Sequence, residues 1–570
     1  MEHVTFQTID YIVFFSYMAG ILAFGLFLAF YRKQETARDY FLAGDRLPWY
    51  AIGASVLASN ISTEHFIGMM GWAYVYGFVI ANFEWGAWFT WSIALWFFLP
   101  FYLRTRIFTV PEFVELRFSR SVRTLLSLAS LTTYLTALMA GVLFAGAKVL
   151  NAMLGIPLHW GVLALGVATG VYCIFGGLLA VVWTDFVQCI LFIVGGGLVT
   201  WLGLKRVGGL GNLMTEMPEQ FFMFHVQHEQ APIIAFYLCS FFVGAYYMSS
   251  NQFMMQRCMG GRSHWDGAMG LVFSNFLKLL MPLIVVLPGI VAARMFPNLP
   301  DPDQSYPIMV AELLGPGLLG LLMSGLAAAM MSTVSSALNS ASTLFTLDIY
   351  APLAKLDEND PRLVRMGKWV TTGLLVLGMA LGMFYSRLTD PVTGAPMPVF
   401  GIIMNIFFFI GPPLSIVFLA GIFWPRATPK AAVWTIIMGY VGGLVSELVI
   451  FKPYDRMFAP LRAFFFPTDS LVNFKLWFDG TAFAATFRNF LYFAIWIGMI
   501  SLIVMVVVSL LTKPRKREEI AHLLWRPSVM KVDSKPGERT TRSLVFWWAV
   551  VMALTAILYG YFAWFQLSHS

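Results

Sequence analysis

Residues 57–68 read LASNISTEHFIG, inside an apolar stretch that runs from about Leu47 to Gly77. Ser59, Asn60, Ser62, Thr63, Glu64 and His65 sit almost together, with hydrocarbon-like residues on both sides. A polar group in hydrocarbon must find its partner inside the protein or cost several kcal/mol. An ionisable one is by default a functional candidate. An unbroken helix packed in a bundle, its hydroxyls bonding back to their own carbonyls, is one reading. Glu64 and His65 need partners beyond that. They favour a helix interrupted here, whose freed carbonyls and amides hold ions or solutes near the membrane midplane.

The rest of the chain agrees that this is a membrane protein. Hydrophobic residues make up 59% of the 570 and charged residues 12%, against about a quarter charged in soluble domains. Apolar runs long enough to cross ~30 Å of hydrocarbon number fourteen, near 8–30, 48–71, 79–103, 121–153, 158–175, 177–204, 231–256, 267–294, 311–347, 366–385, 398–424, 430–451, 488–511 and 543–566. The alternating ten-residue strands of a β-barrel are absent, so the expectation is an all-α integral membrane fold embedded in a lipid bilayer. The first run, after MEHVTFQ, lacks the basic start of a cleaved signal peptide. The longest polar stretches, 451–487 and 512–542, are too short for a soluble domain.

Lys and Arg set orientation. They gather after runs one (Arg32, Lys33, Arg38, Arg46), three (Arg104, Arg106, Arg117, Arg120), seven (Arg257, Arg262), nine (Lys355, Arg362, Arg365, Lys368) and thirteen (TKPRKREE). Odd loops are therefore expected in the cytoplasm and both termini outside. The net charge of +7 is largely this bias, not a nucleic-acid footprint. Cys173, Cys189, Cys239 and Cys258 suggest no disulfide framework, and no CxxC or HExxH zinc pattern occurs. No GxxxxGK[ST] loop is present, so ATP is not expected to drive anything, and no triad or metal set points to an enzyme.

Four further polar clusters lie within runs. In AMMSTVSSALNSAST (329–343), Ser332, Thr333 and Ser336 share a helical face, with Ser335 beside them. They offer neutral oxygens to a hard monovalent cation such as Na⁺, or simply let two helices approach closely. In GGLLAVVWTDFVQ (176–188), Asp185 could neutralise that cation, or sit hydrated at an interface. AYYMSSNQ (245–252) sets Tyr246 and Tyr247 beside Asn251 and Gln252, as a solute with an apolar face and polar rim would want. Packing is the alternative for the tyrosines. Glu84 and Lys278 are lone charges that pair with each other or with a solute.

Taken together, ASNISTEHFIG (58–68), TVPEFVELRF (109–118), GGLLAVVWTD (176–185), FSNFLKLLMPLIVVLPGI (273–290), STVSSALNSASTLFTLDIY (332–350) and GPPLSIVFLAGIFW (411–424) resemble the sodium:solute symporter family, and within it the sodium/glucose cotransporter branch. The resemblance covers roughly 10–450 and implies a leucine-transporter-type core. That core would hold two inverted five-helix repeats, 48–204 and 231–424, among fourteen transmembrane helices. An extra N-terminal helix and its loop (1–47) would precede it, and C-terminal helices (425–570, with cytoplasmic loop 512–542) would follow.

The resemblance also implies roles. A first Na⁺ site would use the carbonyls of Ala58, Ile61 and Ala329 and the hydroxyls of Ser332 and Thr333. A second would use Asp185, Ser332, Ser335 and Ser336, giving two Na⁺ per solute. Solute-binding residues would be His65, Glu84, Tyr247, Asn251, Lys278 and Asn405. Asn60, Tyr247 and Met248 would form a gate. Met248 stands where a tryptophan is expected, Met404 where a glutamine is, and no asparagine occurs near Leu138. These departures bear on which solute is carried. The expectation is a Na⁺-coupled importer of a small polar solute, a sugar such as glucose or galactose, in the cell membrane. Myo-inositol, sialic acid, a nucleoside or an organic acid are alternatives within transport. A membrane solute sensor and a channel are the rivals from other classes.

Overall fold

The structure is a computed structural model; it describes residues 6–31, 34–226, 232–358, 360–385, 399–449, 490–532 and 539–570. The loop 451–487 lies outside the described residues. Helix α1 (Thr8–Tyr31) carries one acid, Asp10, and buries it. Asp10 Oδ1 accepts from the backbone N–H groups of Gly317 (2.7 Å) and Gly320 (2.9 Å) at the start of a distant helix. Such first-turn donors have no partner within their own helix, and a carboxylate also answers the positive end of its dipole. The first helix is thereby tied to the one that carries the serine cluster.

The apolar runs become helices: α2 (Trp49–Asn60), α3 (His65–Thr105), α4 (Arg120–Asn151), α5 (Leu158–Arg206), α6 (Ile233–Ser249), α7 (Gln252–Met259), α8 (His264–Met295), α9 (Leu318–Ala354), α10 (Arg362–Tyr385), α11 (Val399–Phe423), α12 (Pro429–Val449), α13 (Phe490–Leu511) and α14 (Thr541–His569). Among the described residues nine helices are long and apolar enough to cross a membrane, or ten with the bent pair α6–α7 taken as one span. Gly177 (φ +53°) makes a corner inside α5, dividing it between the runs 158–175 and 177–204. A Cβ there would come within 2.4 Å of the Tyr40 carbonyl oxygen. Gly77 (φ +69°) makes a similar corner inside α3.

Two helices are broken where the polar clusters fall. At the end of α2, Ile61 is extended (φ −99°, ψ 123°), and the chain re-enters helix with a widened turn at His65–Met69. The Ser62 N–H, which a continuing helix would donate to the Ala58 carbonyl, instead points at His65 Nδ1, 3.3 Å away. Between α6 and α7 the axis bends by 44°. Asn251 caps the second half, its carboxamide oxygen accepting from the Phe253 N–H at 3.1 Å and from the Tyr134 hydroxyl.

The broken helices are held at close quarters. A Cβ on Gly53 of α2 would lie 2.7 Å from the Gly270 carbonyl of α8. Such small residues let backbones approach where hydrocarbon supplies no hydrophobic drive. One expectation is corrected here. Arg257, counted from the sequence among the loop charges after run seven, lies in α7 and is 1% exposed, and its neighbour Cys258 is 0% exposed. The bend turns α7 back among its neighbours, so Arg257 is an interior charge rather than a loop charge.

Candidate functional site

The ion-binding candidates converge where α2, α5, α7 and α9 meet. Ser59 Oγ lies 2.8 Å from Ser336 Oγ, and the Thr333 hydroxyl donates to the Ser59 carbonyl at 3.1 Å. That bond sets the α9 hydroxyl face against the last turn of α2, where helix ends leave carbonyls unmatched. Ser332 Oγ is buried without a hydrogen-bond partner. Asp185 is fully buried; its Oδ2 accepts from Ser55 Oγ at 2.5 Å and from Ser59 Oγ at 3.4 Å, while its Oδ1 has no hydrogen-bond partner. Unsatisfied buried oxygens on facing helices, mostly neutral, are a donor set that fits Na⁺. Ser335 turns its hydroxyl to the Ser332 carbonyl at 3.0 Å.

The guanidinium of Arg257 enters this cluster. Its Nε donates to Ser55 Oγ at 2.7 Å, its Nη2 donates to Ser336 Oγ, and Nη2 lies 3.7 Å from Asp185 Oδ2. The guanidinium thus shares one space with the oxygens of Asp185 and Ser336, which the sequence offered for a second Na⁺.

A cavity of about 170 Å³ opens on the other side of the α2 break. Drug-sized sites typically hold ~300–1,000 Å³, so this one suits a small solute. Asn60, His65, Glu84, Tyr247, Met248 and Lys278 all line it. Lys278 Nζ lies 3.1 Å from Glu84 Oε2 and donates to Asn60 Oδ1. Asn60 Nδ2 donates to the Tyr247 hydroxyl at 3.2 Å, and His65 Nε2 lies 3.4 Å from Glu84 Oε1. Phe407 meets the Tyr247 ring edge-on at 5.2 Å, so the cavity has a charged wall and an aromatic one.

Asn251 is not among the residues lining the cavity; its oxygen serves as the cap described above. The side chain of Asn405, in α11, lies outside the described residues, as does that of Met404. Leu138 and Met248 bring apolar groups to the lining. Three contributors were given no site role from the sequence. Ser55 joins the ion cluster, and is visible only as another small residue in α2. Arg257 was counted as a loop residue. Glu64 lines the cavity beside His65, yet its place in the sequence gave no sign of which way it faced.

Broken helices, buried oxygens and a solute-sized cavity on a multi-pass helical frame define a membrane transporter. The model of the sodium:solute symporter family matches residues 40–439. A sodium/glucose cotransporter of Vibrio parahaemolyticus is 35% identical over 482 residues, spanning 79% of this chain and 86% of that protein. Sodium/glucose cotransporter 1 of Oryctolagus cuniculus is 28% identical over 581 residues, 93% of this chain and 83% of its own length. Among solved structures, a Na⁺-coupled sialic acid symporter superposes with a TM-score of 0.71 at 23% identity, covering 90% of this chain and 99% of that one. The chain belongs to the sodium:solute symporter family.

Proposed function

We propose that this chain is a Na⁺-coupled symporter that imports a sugar or sugar-like polyol, glucose or galactose first, across the cell membrane by alternating access. The observation that carries the reading is the cavity in which His65, Glu84, Lys278 and Tyr247 meet. It offers an acceptor, a donor and an aromatic face, the three things a pyranose ring presents hydroxyls and C–H surface to. An organic anion would pair with Lys278 but be repelled by Glu84. Myo-inositol or a nucleoside would use the same groups, and these remain the second reading.

Ala58, Ile61, Ala329, Ser332 and Thr333 form the first Na⁺ site in this reading. Asp185, Ser332, Ser335 and Ser336 form the second, giving two Na⁺ per solute. Two inverted repeats, 48–204 and 231–424, rock around the sites within a fourteen-helix chain whose termini face outside. Na⁺ acts by binding one conformation better than the other. One charge crossing ~100 mV supplies about 2.3 kcal/mol. A tenfold gradient adds about 1.4 kcal/mol. Together, roughly 3.7 kcal/mol per ion supports on the order of 500-fold accumulation of a neutral solute. Neither ATP nor covalent chemistry enters this cycle.

The test is labelled glucose and galactose uptake into proteoliposomes under an inward Na⁺ gradient, against K⁺, with Ser332→Ala alongside. Na⁺-dependent uptake lost in the mutant supports both solute and ion site. No sugar uptake, with Na⁺ still stabilising the wild type but not the mutant against heat, overturns the sugar and keeps the symporter.

A further inference from the structure

Away from the ion cluster and the solute cavity, a groove of about 510 Å³ runs between α8 and α14. Helix α8 lines it with Trp265, Met269, Val272 and Phe276, and α14 faces them with Ser543 and Trp547. Steps of three and four residues put each set on one helical stripe. Phe276 and Trp547 are exposed, in helices long and apolar enough to cross a membrane, so the groove opens toward hydrocarbon. Phe276 lies eleven residues beyond Trp265 in unbroken helix, ~16 Å at 1.5 Å per residue. That is about half of a ~30 Å hydrocarbon core, the depth of one leaflet.

One end of the groove is basic. Arg539, exposed just before α14, holds its guanidinium 4.4 Å from the centre of the Trp265 ring. Among the described residues it has no carboxylate partner. Asp266, next to Trp265, is already engaged: its Oδ1 accepts from the Trp49 N–H at 3.1 Å, and its Oδ2 from Arg262 Nε at 3.0 Å and the Ser263 hydroxyl at 2.6 Å. Arg542, in the first turn of α14, adds a second exposed cation. Trp49 and Trp265 meet edge-on at this end, the ring type that gathers at headgroup depth.

The stripe and the cation together select the occupant. A spanning helix, from a partner or a second copy, would seek contact over the whole ~30 Å, twice what the groove offers. A lipid chain of one leaflet matches the length. A phosphate matches the guanidinium, whose planar fork presents donors and no acceptor. A zwitterionic headgroup would bring its own cation beside Arg539; an anionic one does not. We propose that this groove binds an anionic phospholipid, one acyl chain along the α8 stripe and the phosphate on Arg539, in the leaflet on the side of the 512–542 loop. Helix α8 carries Lys278 two residues beyond Phe276, so the chain packs on a helix that also walls the solute cavity.

The experiment is native mass spectrometry of the full chain in detergent, titrated with dioleoylphosphatidylglycerol or dioleoylphosphatidylcholine. Wild type, Arg539→Gln and Ser543→Trp are compared, each first shown to melt at the wild-type temperature. The wild type should retain the glycerol lipid at least about tenfold more tightly, the worth of one charge-assisted hydrogen bond. Arg539→Gln should bring it down to the choline lipid, and Ser543→Trp, whose ring fills the groove, should weaken both. Equal retention in the wild type, or a preference unchanged in Arg539→Gln, overturns the site. Retention unchanged in Ser543→Trp places the lipid elsewhere and overturns it too. A wild-type dimer that Ser543→Trp splits into monomers gives the groove to a second copy, which also overturns it. The symporter reading stands apart from all of these outcomes, since uptake tests it separately.

Discussion

Arg257 and Asp185 are held by the same hydroxyl: Ser55 Oγ accepts from Arg257 Nε at 2.7 Å and donates to Asp185 Oδ2 at 2.5 Å. The guanidinium and carboxylate themselves are 3.7 Å apart and essentially unexposed. Breaking a buried pair by removing one partner typically costs about 3–5 kcal/mol. Arg257→Gln is therefore expected to lower thermal stability strongly in K⁺ and to recover much of it in Na⁺, because Na⁺ can stand where the guanidinium stood. Thermal unfolding against Na⁺ concentration checks this. A mutant whose Na⁺ response equals that of the wild type would show that sodium does not take the place of the guanidinium.

Ion count follows from the same cluster. In the proposed second site, Asp185, Ser332, Ser335 and Ser336 hold a Na⁺ once Arg257 has moved aside, and the Na⁺ Hill coefficient and charge-to-solute ratio should then both approach two. Asp185→Asn should bring the ratio to one. A wild-type ratio of one sinks the second site.

Glu84 and Lys278 separate structure from transport. Glu84→Gln leaves Lys278 without its anion and should destabilise by about 3–5 kcal/mol while abolishing uptake. Adding Lys278→Met should restore stability, since a buried pair replaced by apolar residues is often neutral or better. Uptake should stay lost. Recovery of uptake in the double mutant would make the pair a purely structural one.

Asp10 should behave differently. Asp10→Ala removes the acceptor for Gly317 and Gly320, and loss of an N-terminal helix cap costs about 0.5–2 kcal/mol. The melting temperature should fall, with half-saturation for Na⁺ and solute unchanged. An altered Na⁺ affinity would mean that α1 biases the transport equilibrium as well.

Much of this site was legible before any coordinates. The polar cluster in 57–68 pointed to the break at Ile61 because it includes an acid and an imidazole, which hydroxyl back-bonding within a helix cannot satisfy. The spacing of Ser332, Thr333 and Ser336 placed them on one face, and packing of α9 against α2 set that face on Ser59. Arg257 was misread because a basic residue at the end of an apolar run looks like a loop anchor; only the bend before α7 carries it inward. Asn251 was taken for a solute ligand, yet a helix restarting after a break needs a cap, and that local need took its oxygen. Glu64 and Ser55 could not be read, since which face of a broken helix looks into a cavity is decided by its neighbours.

Asn60 has a further consequence. It closes α2, its amide reaches Tyr247 and Lys278, and the next residue, Ile61, carries a carbonyl assigned to sodium. Adjacent Cα atoms are about 3.8 Å apart. In the proposed first Na⁺ site the lever between ion and solute is one peptide unit long: no relay of side chains is needed, because a pull on the Ile61 carbonyl acts on the residue next to the one whose amide holds the tyrosine. A transporter wired this way is hard to uncouple by mutations at a distance, and easy to uncouple at that one joint.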